Sequence, residues 1–440
     1  RINYRLGPFG WFTHPAIQDF QKGIDKTSNF GTLDIIQALK WVQKNIFLFG
    51  GDSDNITIFG ESAGGHNVYS LIASKRAEGL FHKAIAMSGY TTSISAQNAY
   101  EQNKNSNTSD YTSINVVKRL SENKQLDSDL ETRKFLLSLE ANDFFEVYSS
   151  RNSYQELPLL TADDIVIPGI GLRKSLLNKE LINNVPLISG SNHDEVKLWL
   201  ATAEYFVDLK YSFIGSILDI PKVVLNDEDA FEAFNYYRST AWKIRGVDEP
   251  IKSLAKSGNN RIYSYRFDWD DHRRFVVGDF KKLIGAAHAT EIPLLAGNNK
   301  LVGGYPLSDL IYPPSFSKFY LSRNMMKFWA HFARYGSPGK STNSIAWEPF
   351  DYDNSNISYM ILDNKKNLKM AEDDVSLESL SIKLFKDNRV SDLEKCVILL
   401  QMFTYVGNDT YDSNIKNYPG TCNRTESEQF LKTNASFIEY

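Results

Sequence analysis

The chain has 440 residues, 42% hydrophobic and 23% charged, the composition of a folded protein with a large core rather than of a disordered or fibrous one. Lys and Arg number 49 against 53 Asp and Glu, a formal charge of −4, which argues against a nucleic-acid partner because such partners select a basic face. Two cysteines, Cys396 and Cys422, lie far from any cluster of histidines, so no metal site is expected, and whether they bond to each other stays open.

At the start, Arg1-Ile2-Asn3-Tyr4-Arg5-Leu6-Gly7-Pro8 reads as the end of a strand running into a turn. It carries no initiator Met and no targeting pattern, so the expectation is that the sequence begins inside a domain. Between Asn29 and Phe49, Leu33, Ile36, Leu39, Val42 and Ile46 recur every three or four residues, which predicts an amphipathic helix ended by Gly50-Gly51. Asn55 to Phe59 is a β-branched and aromatic run that predicts a strand, and Gly60 leads into a second helix from about Ala63 to Ala73. Lys83 to Ser88 predicts the next strand. Helix, strand, turn, helix, strand is the alternation of a mostly parallel α/β sheet flanked by helices.

Residues 97–153 are polar and weakly helical, which predicts a helical cap inserted in one catalytic domain spanning 1–440. Val185 to Ser189 and Arg261 to Phe267 predict further strands, and Met325 to Arg334 a helix stopped by Gly336 and Pro338. No apolar run approaches the ~20 residues of a membrane helix. Sequons at Asn107 and Asn423 are common by chance.

Gly60-x-Ser62-x-Gly64 matches the nucleophile-elbow pattern, in which a serine sits on a tight strand-to-helix turn and small neighbours avoid clashes. With Gly and Ser each near 7%, a chain of this length shows the bare pattern roughly 0.15 times by chance. The predicted strand before it and helix after it are the context the chemistry needs. A serine hydroxyl requires a base, usually histidine oriented by a carboxylate, and on this fold the chain order is Ser, acid, His. Of seven histidines, His14 precedes the serine, His66 and His82 follow it too closely, and His331 sits within a helix. His272 falls in a charged run that reads as a solvated turn, and His193 adjoins the acid candidates. His288, among Gly285, Ala286, Ala287 and Ala289, is left as the base. Asp194 and Glu195 both follow a strand closely enough to be the acid, and pattern alone does not choose between them.

Several runs together resemble the type-B carboxylesterase and cholinesterase family, whose fold is the α/β-hydrolase fold. They include Asn3-Tyr4-Arg5-Leu6-Gly7, Asn29-Phe30-Gly31-Thr32-Leu33-Asp34 and Asn55 through Gly65. Leu80 through Gly89, Asn192-His193-Asp194-Glu195, His288 through Pro293 and Trp347-Glu348-Pro349-Phe350 fit in the same order. Tyr265-Arg266-Phe267-Asp268-Trp269 looks closer to bacterial carboxylesterases than to animal cholinesterases.

The resemblance implies hydrolysis of small-molecule carboxylic esters without metal or cofactor. It implies Ser62 as nucleophile, Glu195 as acid and His288 as base, with the Ala63 amide as an oxyanion donor. It implies outer roles for Ser88, in support of the acid, and for Glu61, buried beside the elbow. Ala289 and Val196 stand where glycine is common in the family. The family's glycine-rich oxyanion loop has no counterpart in these 440 residues, so an N-terminal segment or a further chain is expected to complete the domain. The competing readings are a non-catalytic binding or adhesion relative and a specialised cholinesterase.

Overall fold

A computed structural model describes residues 1–101, 112–122, 124–149, 157–158, 160–210, 222–275, 277–298, 307–354, 356–407 and 409–434. The chain divides into two compact units, Arg1–Ile56, Tyr69–His82 and Thr91–Asn184 forming one, Thr57–Val68, Lys83–Tyr90 and Val185–Tyr440 the other.

In the first unit the expected strand end at the N-terminus is absent. Residues 1–6 have no regular structure, and a short helix, Gly7–Trp11, begins where the turn was expected. The extended stretch is held by a side chain rather than by a strand partner: Arg5 donates from Nε and Nη2 to the Asp34 carboxylate at 2.8 and 2.7 Å. Asp34 belongs to helix α1, Phe30–Asn45, which buries Gly31, Thr32, Ile35, Ile36 and Leu39 on one stripe. Gly31 is needed there, since a Cβ would come within 2.8 Å of the Arg5 carbonyl oxygen. The described part of 97–153 is helical, in Ser113–Leu120, Asp129–Ser138 and Ala141–Ser149. Asn107 lies outside the described residues.

The second unit is built on a six-stranded sheet in sequential order. Its strands are β1 (Thr57–Glu61), β2 (Lys83–Met87), β3 (Leu187–Asn192), β4 (Ile262–Phe267), β5 (Ile357–Leu362) and β6 (Lys369–Asp373). The first five run parallel and β6 closes the edge antiparallel. Parallel neighbours need crossovers. In the sequence helix α2 (Ala63–Ile72) follows β1, with its residues up to Val68 in this unit; helix α3 (Glu228–Lys243) lies between β3 and β4, and α4 (Phe316–Tyr335) between β4 and β5.

β2 is buried along its whole length and β3 likewise, as expected for central parallel strands. Gly190 in β3 faces Tyr265 so closely that no side chain would fit. α4 starts nine residues earlier than the sequence suggested, because Ser315 caps it by accepting from Lys318 N at 3.1 Å.

Two apolar clusters hold this unit. One joins the strands to α4 through Ile188, Tyr265, Phe267, Trp269, Met325 and Phe328. The other joins α3 to helix α5 (Asp392–Thr404) through Phe231, Phe234, Trp242, Val397 and Leu400. Cys396 in α5 is disulfide-bonded to Cys422, resolving the pairing left open by the sequence. Asn423 caps the following helix, Arg424–Thr433, by accepting from Thr425 N at 3.0 Å.

Candidate active site

Every residue singled out for the site falls in the second unit, at the carboxyl ends of its strands, where open α/β sheets place their ligands. β1 ends at Glu61, α2 starts at Ala63, and Ser62 between them has φ +58°. That left-handed backbone costs a non-glycine residue roughly 1–2 kcal/mol. It is held by the Ser62 amide donating to the Met87 carbonyl of β2 and by the Ser62 carbonyl accepting from His66 N, each at 2.9 Å.

The glycines around it do unequal work. A Cβ on Gly60 would collide with the backbone of Gly64, and one on Gly65 would lie 2.8 Å from the Met87 oxygen, whereas one on Gly64 would meet open space. Ala63 is exposed, and its amide belongs to the first turn of α2, where helix N–H groups have no intrahelical acceptor.

The candidate acid and base lie in contact. His288 Nδ1 lies 2.6 Å from Glu195 Oε2, and the His288 amide donates to the Glu195 carbonyl at 3.1 Å. Glu195 is fully buried, and its other oxygen, Oε1, accepts from the Asn192 amide at 2.7 Å. Asp194 turns the other way. Its Oδ2 accepts from Ala286 N at 3.0 Å and its Oδ1 from Asn235 Nδ2 at 2.6 Å, with His193 and Lys197 beside it. Asp194 is therefore the clamp on the loop that delivers His288, not the group bonded to it. These contacts, led by the His193 hydrogen bond and charge, outweigh burial and hold its carboxyl well below the usual range.

The far nitrogen of His288, Nε2, lies 3.1 Å from Glu61 Oε1 but has no hydrogen-bond partner among the described residues. Glu61 is thus in charge contact with the His288 imidazole rather than merely packed under the elbow. A third buried carboxylate, Glu291, accepts from Asn192 Nδ2 at 2.6 Å. Burial opposes charge on His288, yet the Glu195 carboxylate, with Glu61 and Glu291 behind it, prevails and lifts its pKa to about 9. Burial raises Glu61 to about 7 against the pull of His288, and burial with the nearby Glu61 charge raises Glu291 to about 8.

Ser88 does not support the acid. Its hydroxyl is buried without a partner among the described residues, while its amide donates to Gly190 O at 2.7 Å; Asn192 performs the supporting role. His272 is not on a solvated turn: it is 7% exposed, with Nε2 2.7 Å from the Gly285 carbonyl oxygen beneath the catalytic loop. Ala289, where the family favours glycine, has φ +65°, the conformation that explains the preference. Val196 is fully buried in the α3–α5 cluster, a place an apolar side chain fills.

Sequence reasoning missed Glu291, although it stands three residues after His288 within a quoted motif. It also missed Trp199 and Trp242, whose rings lie 5.0 and 4.9 Å from the His288 ring, and Asn235. Trp242 and Asn235 belong to a distant helix with no local signal.

A serine on a strand–turn–helix elbow, a histidine paired with a buried glutamate, and a mostly parallel sheet with covering helices define an α/β-hydrolase fold. The description "Carboxylesterase family" matches residues 1–212 and 226–378, and the chain belongs to that family. Carboxylesterase 1E of Rattus norvegicus is 31% identical over 375 residues, covering 77% of this chain and 61% of that protein. The para-nitrobenzyl esterase of Bacillus subtilis (strain 168) is 29% identical over 358 residues, covering 79% and 66%. A solved PNB esterase structure aligns with a TM-score of 0.56 at 24% identity, over 84% of this chain and 70% of its own. The chain thus spans less than two thirds of the length of these curated relatives.

Proposed function

We propose that this chain carries the catalytic centre of a serine carboxylesterase acting on small-molecule esters through an acyl-enzyme. The observation that supports it most is the Glu195–His288 pair at 2.6 Å in the same unit as the elbow serine at φ +58°. All three groups are retained, which disfavours a purely binding relative.

In the proposed reaction Ser62 gives its proton to His288 Nε2 as Oγ bonds to the ester carbonyl carbon. The Ala63 amide, in the first turn of α2, donates to the resulting oxyanion. The carbonyl re-forms, the alkoxy C–O bond breaks, and the alcohol leaves with the proton from Nε2. Water then repeats the sequence on the acyl-enzyme and releases the acid. Glu195 fixes the imidazole so that Nε2 is the atom that shuttles the proton.

Hydrolysis of 4-nitrophenyl butyrate by the wild-type chain and by Ser62→Ala tests this. Activity is expected in the wild type, with a loss of roughly 10⁴-fold or more in the variant. A variant that retains wild-type turnover would exclude Ser62 as nucleophile. Faster turnover of acylcholines than of the uncharged ester would move the assignment to a cholinesterase.

A further inference from the structure

Helix α3 carries a charge that the reaction above does not use. Arg238 is 3% exposed, and its Nε, Nη1 and Nη2 are each buried without a hydrogen-bond partner among the described residues. A guanidinium has five N–H donors and no acceptor, and leaving such a group dry and unpaired is among the costliest placements a chain can make. Other buried cations of this unit have partners: Lys243 has Asp248 and Asp373, Lys197 has Glu232 and Asp194, and Arg245 donates from Nη1 to the Met402 carbonyl oxygen at 3.1 Å. Burial draws the Arg238 pKa down to about 10, and the ionisable group felt beside it is the Tyr405 phenol rather than a carboxylate.

Its position connects it to the site. Trp242 follows Arg238 by four residues on α3, one turn along the same face. The Trp242 ring lies 4.9 Å from the His288 ring and 5.1 Å from that of Tyr405. Arg238 and the catalytic base are therefore neighbours of one aromatic wall. α3 then passes into a π-helical turn, Ile244–Asp248, a distortion that recurs at functional sites.

We propose that Arg238 anchors an oxyanion-binding subsite, for a carboxylate or phosphate, that selects esters bearing an acidic group remote from the scissile bond. A guanidinium fork matches such an anion with paired hydrogen bonds, and the Trp242–Tyr405 wall suits the apolar chain linking anion to ester. The inference deepens the esterase reading and rests on it for the substrate, though not for the anion.

Two measurements on the full chain test it. In the first, Tm is followed as sodium adipate or sodium phosphate replaces sodium chloride at constant ionic strength, for wild type and Arg238→Met. A saturable rise in the wild type that the variant lacks is expected. In the second, the kcat/KM ratio for mono-4-nitrophenyl adipate over 4-nitrophenyl hexanoate is compared between the two proteins. The ratio is expected to fall at least tenfold in Arg238→Met, with Arg238→Lys between, since it keeps the charge and loses the fork.

A Tm rise with an unchanged ratio leaves only a free anion at Arg238 and overturns the substrate role. No saturable rise in the wild type overturns the subsite altogether, even if Arg238→Met fails to fold. If the wild type hydrolyses neither ester, the esterase reading fails, while the Tm series still decides whether Arg238 binds an anion.

Discussion

At the scale of single residues, the site is one histidine among three carboxylates. His288, Glu61 and Glu291 all bind their protons more tightly in the folded chain than their ordinary values allow. For His288 the stabilisation is fully present below its ordinary value near 6.5 and is lost as pH rises through about 9. The two glutamates act in the same direction, favouring the fold at low pH and losing that advantage through about 7 to 8.

The proposed mechanism needs His288 neutral, so the acid limb of kcat/KM should lie above the usual histidine range. Glu61 is one of the charges holding the proton on His288, so Glu61→Gln should move that limb to lower pH; an unmoved limb would show that Glu61 does not act on the base. Ser62 and His288 were legible as candidates because the elbow is a local pattern, chain order set aside His14, His66 and His82, and local context set aside the rest, for His272 on a solvated-turn reading that its burial overturns. The choice of Glu195 over Asp194 was not legible from the residues alone. The two are adjacent, and which one faces the imidazole depends on Ala286 and Asn235, 92 and 41 positions away from Asp194.

At the scale of elements, the elbow depends on two glycines that the pattern does not weigh alike. Gly60 cannot accept a Cβ without pushing into the Gly64 backbone, whereas Gly64 has open space and lies in α2. Gly60→Ala should therefore lower Tm or prevent folding. Gly64→Ala should keep Tm or raise it, since Ala is favoured over Gly in a helix by about 0.8–1 kcal/mol. Thermal melts of the two variants decide, and equal destabilisation would show that the two glycines are equally constrained. Strands β1 to β4 were readable from apolar runs between turn residues. The position of α3 against His288 was not, because every face of that helix carries large apolar side chains, and nothing in its periodicity marks which of them meet the site.

At the scale of the molecule, the α3–α5 cluster is fastened by the Cys396–Cys422 disulfide across a sequence separation of 26. Closing a loop of that size in the unfolded chain is worth about 3.5 kcal/mol. Reduction, or Cys396→Ser with Cys422→Ser, should lower Tm by several degrees in calorimetry. An unchanged Tm would mean that the cluster holds itself. The overall class, a mostly parallel α/β fold, followed from the alternation of helical and strand periods. The pairing of two cysteines could not follow, because separation alone does not say whether two Cα atoms come within bonding reach.

The central claim is that Ser62 is a nucleophile activated by His288. The most direct measurement is labelling of the folded chain with a fluorophosphonate probe, followed by peptide mass spectrometry. A single phosphonylated serine, Ser62, is expected, with labelling abolished in His288→Ala. An unmodified Ser62 peptide in folded protein, or a label on another serine, would contradict it.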